Sequence, residues 1–106
     1  ESLLLAAHHK LDNLYCIVDY NRSNDRALKL DSLFDKFKSF NWHVKQIDGH
    51  DHKSILKIKD TKVKKPKIFI AHTIKGKGIN FMENNPEWHH KFPNRNEISI
   101  IRDVLL

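Results

Sequence analysis

The polar run Asp19-Tyr-Asn-Arg-Ser-Asn-Asp25 follows directly on a continuous apolar stretch, Leu14 to Val18. An apolar run bounded by polar residues is the pattern of a strand buried on both faces, as at the centre of a parallel sheet. In open α/β sheets, ligands bind just outside the carboxyl ends of the strands. Asp19 to Asp25 is therefore the first place where chemistry is expected. Other groups with chemical reach are His8 and His9 near a helix end, the histidine pairs His50/His52 and His89/His90, and the glycine-containing turn Ile74-Lys-Gly-Lys-Gly-Ile79. The histidine pairs invite a zinc reading. Against it, the one cysteine, Cys16, falls inside the apolar stretch, where burial is expected. No histidine pair has the i, i+4 spacing of a metalloprotease helix either. Taken alone, each of these residues also reads as an ordinary turn or surface residue.

These residues need elements to position them. Leu3, Leu4, Ala7 and Leu11 recur at helical spacing, which predicts an amphipathic helix over residues 1 to about 11. The Leu14–Val18 strand follows after a short break. Asp31 is expected to cap a second helix whose apolar stripe is Leu33, Phe34, Phe37 and Phe40. Trp42 to Ile47 alternates apolar and polar residues, as a strand nearer a sheet edge would. Asp51 is placed to cap a third helix through Ile55, Leu56 and Ile58. After a basic linker, Pro66 opens a further apolar strand, Ile68 to Ala71. An irregular arm runs from Asn80 to Pro93. The last helix starts near Asn94 or Asn96 and is expected to turn Ile98, Ile101, Val104 and Leu105 inward. The order α-β-α-β-α-β-loop-α predicts an α/β fold, a parallel sheet with flanking helices and right-handed crossovers.

With 106 residues, 40% of them hydrophobic, the chain has the composition of one small domain or part of one. No apolar run approaches the ~20 residues that span a bilayer, and no secretory leader is visible. A single cysteine makes no internal disulfide, so a reducing cytoplasm is the expected compartment. The net charge of +6 admits polyanionic partners. The lysines are spread along the chain, with one local cluster at Lys62, Lys64, Lys65 and Lys67, and no nucleic-acid-binding motif accompanies them. A solvated basic face that favours phosphorylated ligands is expected, with neither nucleic acid nor membrane as partner. A non-enzymatic basic binding module is the rival from a different class. The opening Glu1-Ser-Leu-Leu-Leu-Ala-Ala reads as the middle of a helix, which predicts a partial domain.

Several runs together resemble the transketolase family, closest to the N-terminal subunit of its split, two-gene form. They are Ala6-Ala-His-His-Lys-Leu-Asp-Asn-Leu14, Val18-Asp-Tyr-Asn21, Ile47-Asp-Gly-His-Asp51, Ala71-His-Thr-Ile-Lys-Gly-Lys-Gly78 and Phe81-Met-Glu-Asn-Asn-Pro-Glu-Trp-His89. The resemblance covers essentially the whole chain in order. It implies a thiamine diphosphate-binding fold, with thiamine diphosphate and Mg2+ (or Ca2+) as cofactors. It also implies transfer of a two-carbon ketol unit between sugar phosphates, as in the pentose phosphate pathway. In that family a Gly-Asp-Gly motif is followed downstream by an asparagine that binds the metal. Asn21 resembles that asparagine, and the backbone carbonyl two residues on, at Ser23, would be a second ligand. A neutral amide oxygen adds a hard donor without repelling the diphosphate. The Gly-Asp-Gly element would precede residue 1, so residues 1–106 are expected to be a partial diphosphate-binding domain.

His89 resembles a family histidine that contacts the diphosphate and substrate region, which makes it both the catalytic and a cofactor-binding candidate. An imidazole there can donate to phosphate or assist proton transfer. The family's next residue is usually glycine. Here it is His90, which leaves open which of the two faces the site. Glu1 resembles a glutamate near the dimer interface, and Lys75 and Lys77 are expected to be solvated. The resemblance implies a C-terminal, pyrimidine-binding partner subunit in a homo- or hetero-oligomer, and an inactive isolated chain. A 1-deoxyxylulose-phosphate synthase relative shares the fold and remains an alternative.

Overall fold

The computed structural model describes residues 1–106 as two compact units, Glu1–Thr73 and Ile74–Leu106. The first unit holds helix α1 (Ser2–His8), strand β1 (Tyr15–Tyr20), helix α2 (Leu33–Ser39), strand β2 (His43–Asp48), helix α3 (His52–Leu56) and strand β3 (Lys67–His72). The three strands are parallel and lie in the order β1, β3, β2. The expected α/β class with a parallel sheet and flanking helices is what the chain adopts.

The centre of the sheet differs from expectation. β3 is the central strand, and Lys67 through Ala71 are all buried. β1, which reads as the central strand, lies at one edge, with Tyr15, Ile17 and Asp19 exposed and Cys16 only half-buried. Its apolar run predicts burial on two faces, but the face carrying Tyr15, Ile17 and Asp19 is exposed, and β3 is the one strand it pairs with. β2 takes the other edge, as its alternation predicts. Register places Tyr20, His72 and Asp48 side by side at the carboxyl ends of the three strands.

Two apolar layers flank the sheet. On one face Ala6, Trp42 and Ile68 are buried together, with Leu3, Val18, Phe37, Phe40 and Val44 against them. These residues bring α1 and α2 onto that face. On the other, Ile47, Phe69 and Ala71 meet Ile58 from the 3₁₀ turn that follows α3. Full burial of a side chain such as Ile68 or Phe69 is worth about 1.5–3 kcal/mol, so β3 carries much of the apolar stabilisation. Lys67 opens β3 and is only 1% exposed. Its ammonium donates to the Asp12 carbonyl and lies 4.5 Å from the centre of the Tyr15 ring, two partners that offset the cost of burying a charge.

Local signals set the helix ends. α1 stops short of the expected Leu11 because Lys10 turns left-handed (φ 51°). The Leu11 N–H then returns to the Ala6 carbonyl and the Lys10 N–H to that of Ala7, which closes the helix end. The cap of α2 is Ser32, whose Oγ accepts the Asp35 N–H at 3.2 Å. Asp31, the expected cap, sits one residue too early with φ 50°. Asp51 caps α3 as expected, accepting the Lys53 and Ser54 N–H groups at 3.2 and 3.0 Å.

The second unit is a glycine turn, an irregular arm with a 3₁₀ turn at Pro86–His89, and helix α4 (Arg95–Leu105). Asn94 and Glu97 form a reciprocal capping box that starts α4. Ile98, Val104 and Leu105 are exposed and Ile101 is half-buried, so the expected inward face is not covered. The second unit contains no strand and no other α-helix to cover it. No helix of the chain is long and apolar enough to cross a membrane.

Candidate functional site

The loop after β1 is built around one hydrogen bond. Asn21 is half-buried, and its Oδ1 accepts the Ser23 N–H at 2.9 Å. This side-chain-to-backbone turn is a strong local preference of asparagine. Between them Arg22 takes a left-handed conformation (φ 60°), and its guanidinium lies 5.8 Å from the Tyr20 ring centre. A small cavity of about 90 Å³ lies against this loop, bounded by Val18 to Asn24 with Leu30 and Leu33. Its size suits an ion or a few waters, not a whole coenzyme. The structure thus brings Asn21 and Ser23 together, at the carboxyl end of a strand.

Neighbouring side chains brace this end of the sheet. The Thr73 hydroxyl donates to Asp19 Oδ1, which ties the end of β3 to β1. His72 Nε2 pairs with Gln46 Oε1 at 2.7 Å, and its ring meets Tyr20 edge-on at 5.6 Å. The Asp48 carboxylate accepts the His50 N–H at 2.8 Å. Gln46, His72 and Thr73 received no role from sequence reasoning. The available signal was the switch from apolar to polar residues at the end of each strand, the same one that points to Asp19.

His89 lies in the second unit, exposed, with its ring 4.3 Å from that of His90 in a T-shaped pair. Lys75, expected to be solvated, is half-buried, and its Nζ is 3.3 Å from His89 Nδ1. An ammonium has no acceptor, so Nδ1 accepts and the ring proton of neutral His89 resides on Nε2. That leaves Nε2–H as a donor. The turn that carries Lys75 is held by Asn84 N–H to the Lys75 carbonyl at 2.9 Å and by Gly78 N–H to Glu83 Oε1 at 3.0 Å. Lys77 keeps solvent contact and lies 3.7 Å from Glu83.

No three His, Cys, Asp or Glu side chains converge as a metal centre. At the Asn21 loop the donors on offer are a side-chain amide oxygen and backbone carbonyls. Such neutral oxygens fit a hard divalent cation whose charge is balanced by a bound diphosphate.

Comparison with known proteins bears on this arrangement. Residues 1–105 match the family described as transketolase, thiamine diphosphate binding domain. The chain belongs to that family. Among its relatives, a subunit of apulose-4-phosphate transketolase from Actinobacillus succinogenes is 37% identical over 99% of this chain and 41% of its own length. The corresponding protein from Phocaeicola vulgatus is 35% identical over 88% of this chain and 36% of its own. Human transketolase is 33% identical over 98% of this chain and 18% of its own. The crystal structure of transketolase from Campylobacter jejuni superposes with a TM-score of 0.75 at 30% identity, covering 83% of this chain and 15% of that one. The chain therefore spans less than half the length of these transketolase relatives.

Proposed function

We propose that this transketolase-family chain is the part of a thiamine diphosphate-binding domain that supplies one side of the metal and diphosphate site. The assembled enzyme transfers a two-carbon ketol unit between sugar phosphates. The observation that carries this reading is the Asn21–Ser23 turn at the carboxyl end of β1, in a chain matched to the family over residues 1–105. Asn21 Oδ1 and the Ser23 carbonyl would hold the divalent cation, Mg2+ or Ca2+. The Asn21 oxygen keeps a lone pair beyond the one that accepts from Ser23. His89, through Nε2–H, would donate to diphosphate or substrate oxygens, and Lys75 fixes the ring that does so. Thiamine, when bound, supplies the carbanion chemistry, while the protein binds, orients and sets the charge around it.

Two of the relatives are themselves single subunits of a transketolase, which supports a partner subunit, here one carrying the pyrimidine-binding half. The Gly-Asp-Gly element and its carboxylate ligand would lie outside residues 1–106, and the working location would be the cytoplasm. The test is reconstitution. The expected result is no ketol transfer and weak coenzyme binding by residues 1–106 alone, with both restored when the remaining domains are supplied. Rapid ketol transfer by residues 1–106 alone, or coenzyme binding by the assembly that is indifferent to Asn21, overturns it.

A further inference from the structure

A second cavity lies at the opposite end of the sheet from the Asn21 loop. It is bounded by the start of β2 and by residues 63–65, just before β3, together with the exposed side of α2. Its volume, about 400 Å³, falls within the range of small-molecule sites. The walls divide by chemistry. Phe34, Trp42, Val44 and Val63 give it apolar surface, and Lys38, His43, Lys64 and Lys65 give it donors. No carboxylate lines it.

The basic groups are partly fixed in place. Lys38 Nζ lies 5.7 Å from the Phe34 ring centre, and Lys65 Nζ donates to Asn41 Oδ1 at 2.6 Å. The floor is rigid, because Trp42 is buried and its indole N–H donates to the Leu3 carbonyl at 2.9 Å. Three ammonium groups with no acid among them favour an anion of more than one charge. An apolar floor with aromatic walls favours a flat apolar body attached to it. Of the lysine cluster at 62–67, Lys64 and Lys65 line this cavity, whereas Lys67 is buried against Asp12 and Tyr15.

We infer that this cavity is an accessory site for a small aromatic or short-chain phosphate monoester, with the phosphate between Lys38 and Lys64 and the apolar group against Phe34 and Trp42. It is separate from the strand carboxyl ends where the family's coenzyme chemistry is proposed, and it stands or falls independently of that proposal. The site is assigned binding alone: no carboxylate, hydroxyl or thiol lines the cavity.

The test is titration of the intact protein with phenyl phosphate, followed through the Trp42 indole N–H resonance. Saturable movement of that resonance is expected, with a Kd of about 0.1–1 mM. Inorganic phosphate and benzyl alcohol should each bind about tenfold more weakly, since each offers half of the recognition. The double variant K38E/K64E reverses two exposed charges and should abolish the Trp42 response while circular dichroism stays unchanged. A response that survives in K38E/K64E overturns the assignment, whether or not Trp88 also moves. Equal affinity for inorganic phosphate also overturns it, as that would reduce the cavity to a diffuse cationic patch. Binding to phosphatidic acid vesicles without any response to phenyl phosphate overturns it in favour of a membrane surface.

Discussion

Asn21 Oδ1 accepts the Ser23 amide proton at 2.9 Å, so the two proposed metal ligands belong to one turn. The bond aims the Asn21 amide and sets the backbone that presents the Ser23 carbonyl. Asn21→Ala removes a donor and its positioning bond together. In the assembled enzyme, coenzyme and metal affinity should fall by tenfold or more, about 1.4 kcal/mol. The folding stability of residues 1–106 should change far less, because the loop is on the surface. Calorimetric titration of coenzyme in the presence of Mg2+, beside a thermal melt, separates the two effects.

Lys75 and His89 form a second such relationship. The ammonium 3.3 Å from Nδ1 selects the Nε2–H tautomer of the neutral ring. Lys75→Met should therefore mix the two tautomers, which nitrogen-15 shifts of the His89 ring resolve directly. In the assembled enzyme His89→Ala should lower turnover by about a hundredfold, the lower range for a lost proton donor. His90→Ala should cost less than tenfold, about 1.4 kcal/mol. The reverse ranking would assign the site to His90.

Two glycines are held by close approach. Gly76 has φ 74°, and a Cβ there would meet the Met82 carbonyl oxygen at 2.6 Å and carbon at 2.7 Å. Gly76→Ala should cost at least the ~1–2 kcal/mol of a left-handed residue with a side chain. A Cβ at Gly49 would collide with Thr73 Cγ2, and Thr73 also holds Asp19. Gly49→Ala should cost about 1–3 kcal/mol, as overpacking does, and should disturb the Asp19 and Thr73 resonances together. Urea unfolding measures both costs.

The parts of this fold that could be read from the sequence are those set by near neighbours. Asp51 and Asn94 act on N–H groups within a turn of themselves, so their capping roles are visible in the order of residues. Strand existence is visible in the apolar runs, and the Asn21 turn in the residue types that make it. Strand position is not: the Leu14–Val18 run predicts two buried faces, yet one face is exposed, because the strand's place in the sheet is decided by pairing with β3, far along the chain. Burial of Lys67 is hidden for the same reason, because its partners Asp12 and Tyr15 come from another part of the chain. The Lys75–His89 contact closes an irregular arm, where no periodicity exists to announce it.

Asp51 also sets a pH dependence. The Ser54 hydroxyl, followed by the Lys53 and Ser54 N–H groups, holds its carboxyl below the usual value of 3.8. A carboxyl depressed by folding stabilises the fold fully above its unfolded pKa, and that contribution is lost as pH falls through 3.8 toward the lowered folded value. Loss of the α3 cap should therefore begin below pH 3.8, seen as faster exchange of the Ser54 amide. Asp51→Asn keeps an oxygen acceptor without a titrating group and should flatten that dependence. An unchanged acid response in Asp51→Asn would remove Asp51 from the explanation.

Ile17 tests what the edge position of β1 means in solution. It is 59% exposed, and Leu56, 62% exposed, lines the same apolar depression with Tyr15 and Ile55. The Leu14 and Tyr20 carbonyls accept N–H groups from β3 and its extension. Bonding alternates along a strand, so the backbone groups of Tyr15, Ile17 and Asp19 face the open edge. An apolar parallel edge with unpaired donors and acceptors is a template for association. Residues 1–106 should therefore self-associate with rising concentration. Ile17→Lys should suppress this while changing unfolding free energy by no more than about 0.5 kcal/mol, as expected for a surface site. Sedimentation velocity across a concentration series reads the first effect and urea unfolding the second. A monomer at every concentration, or a strongly destabilised Ile17→Lys, would show that the edge is already satisfied within the chain.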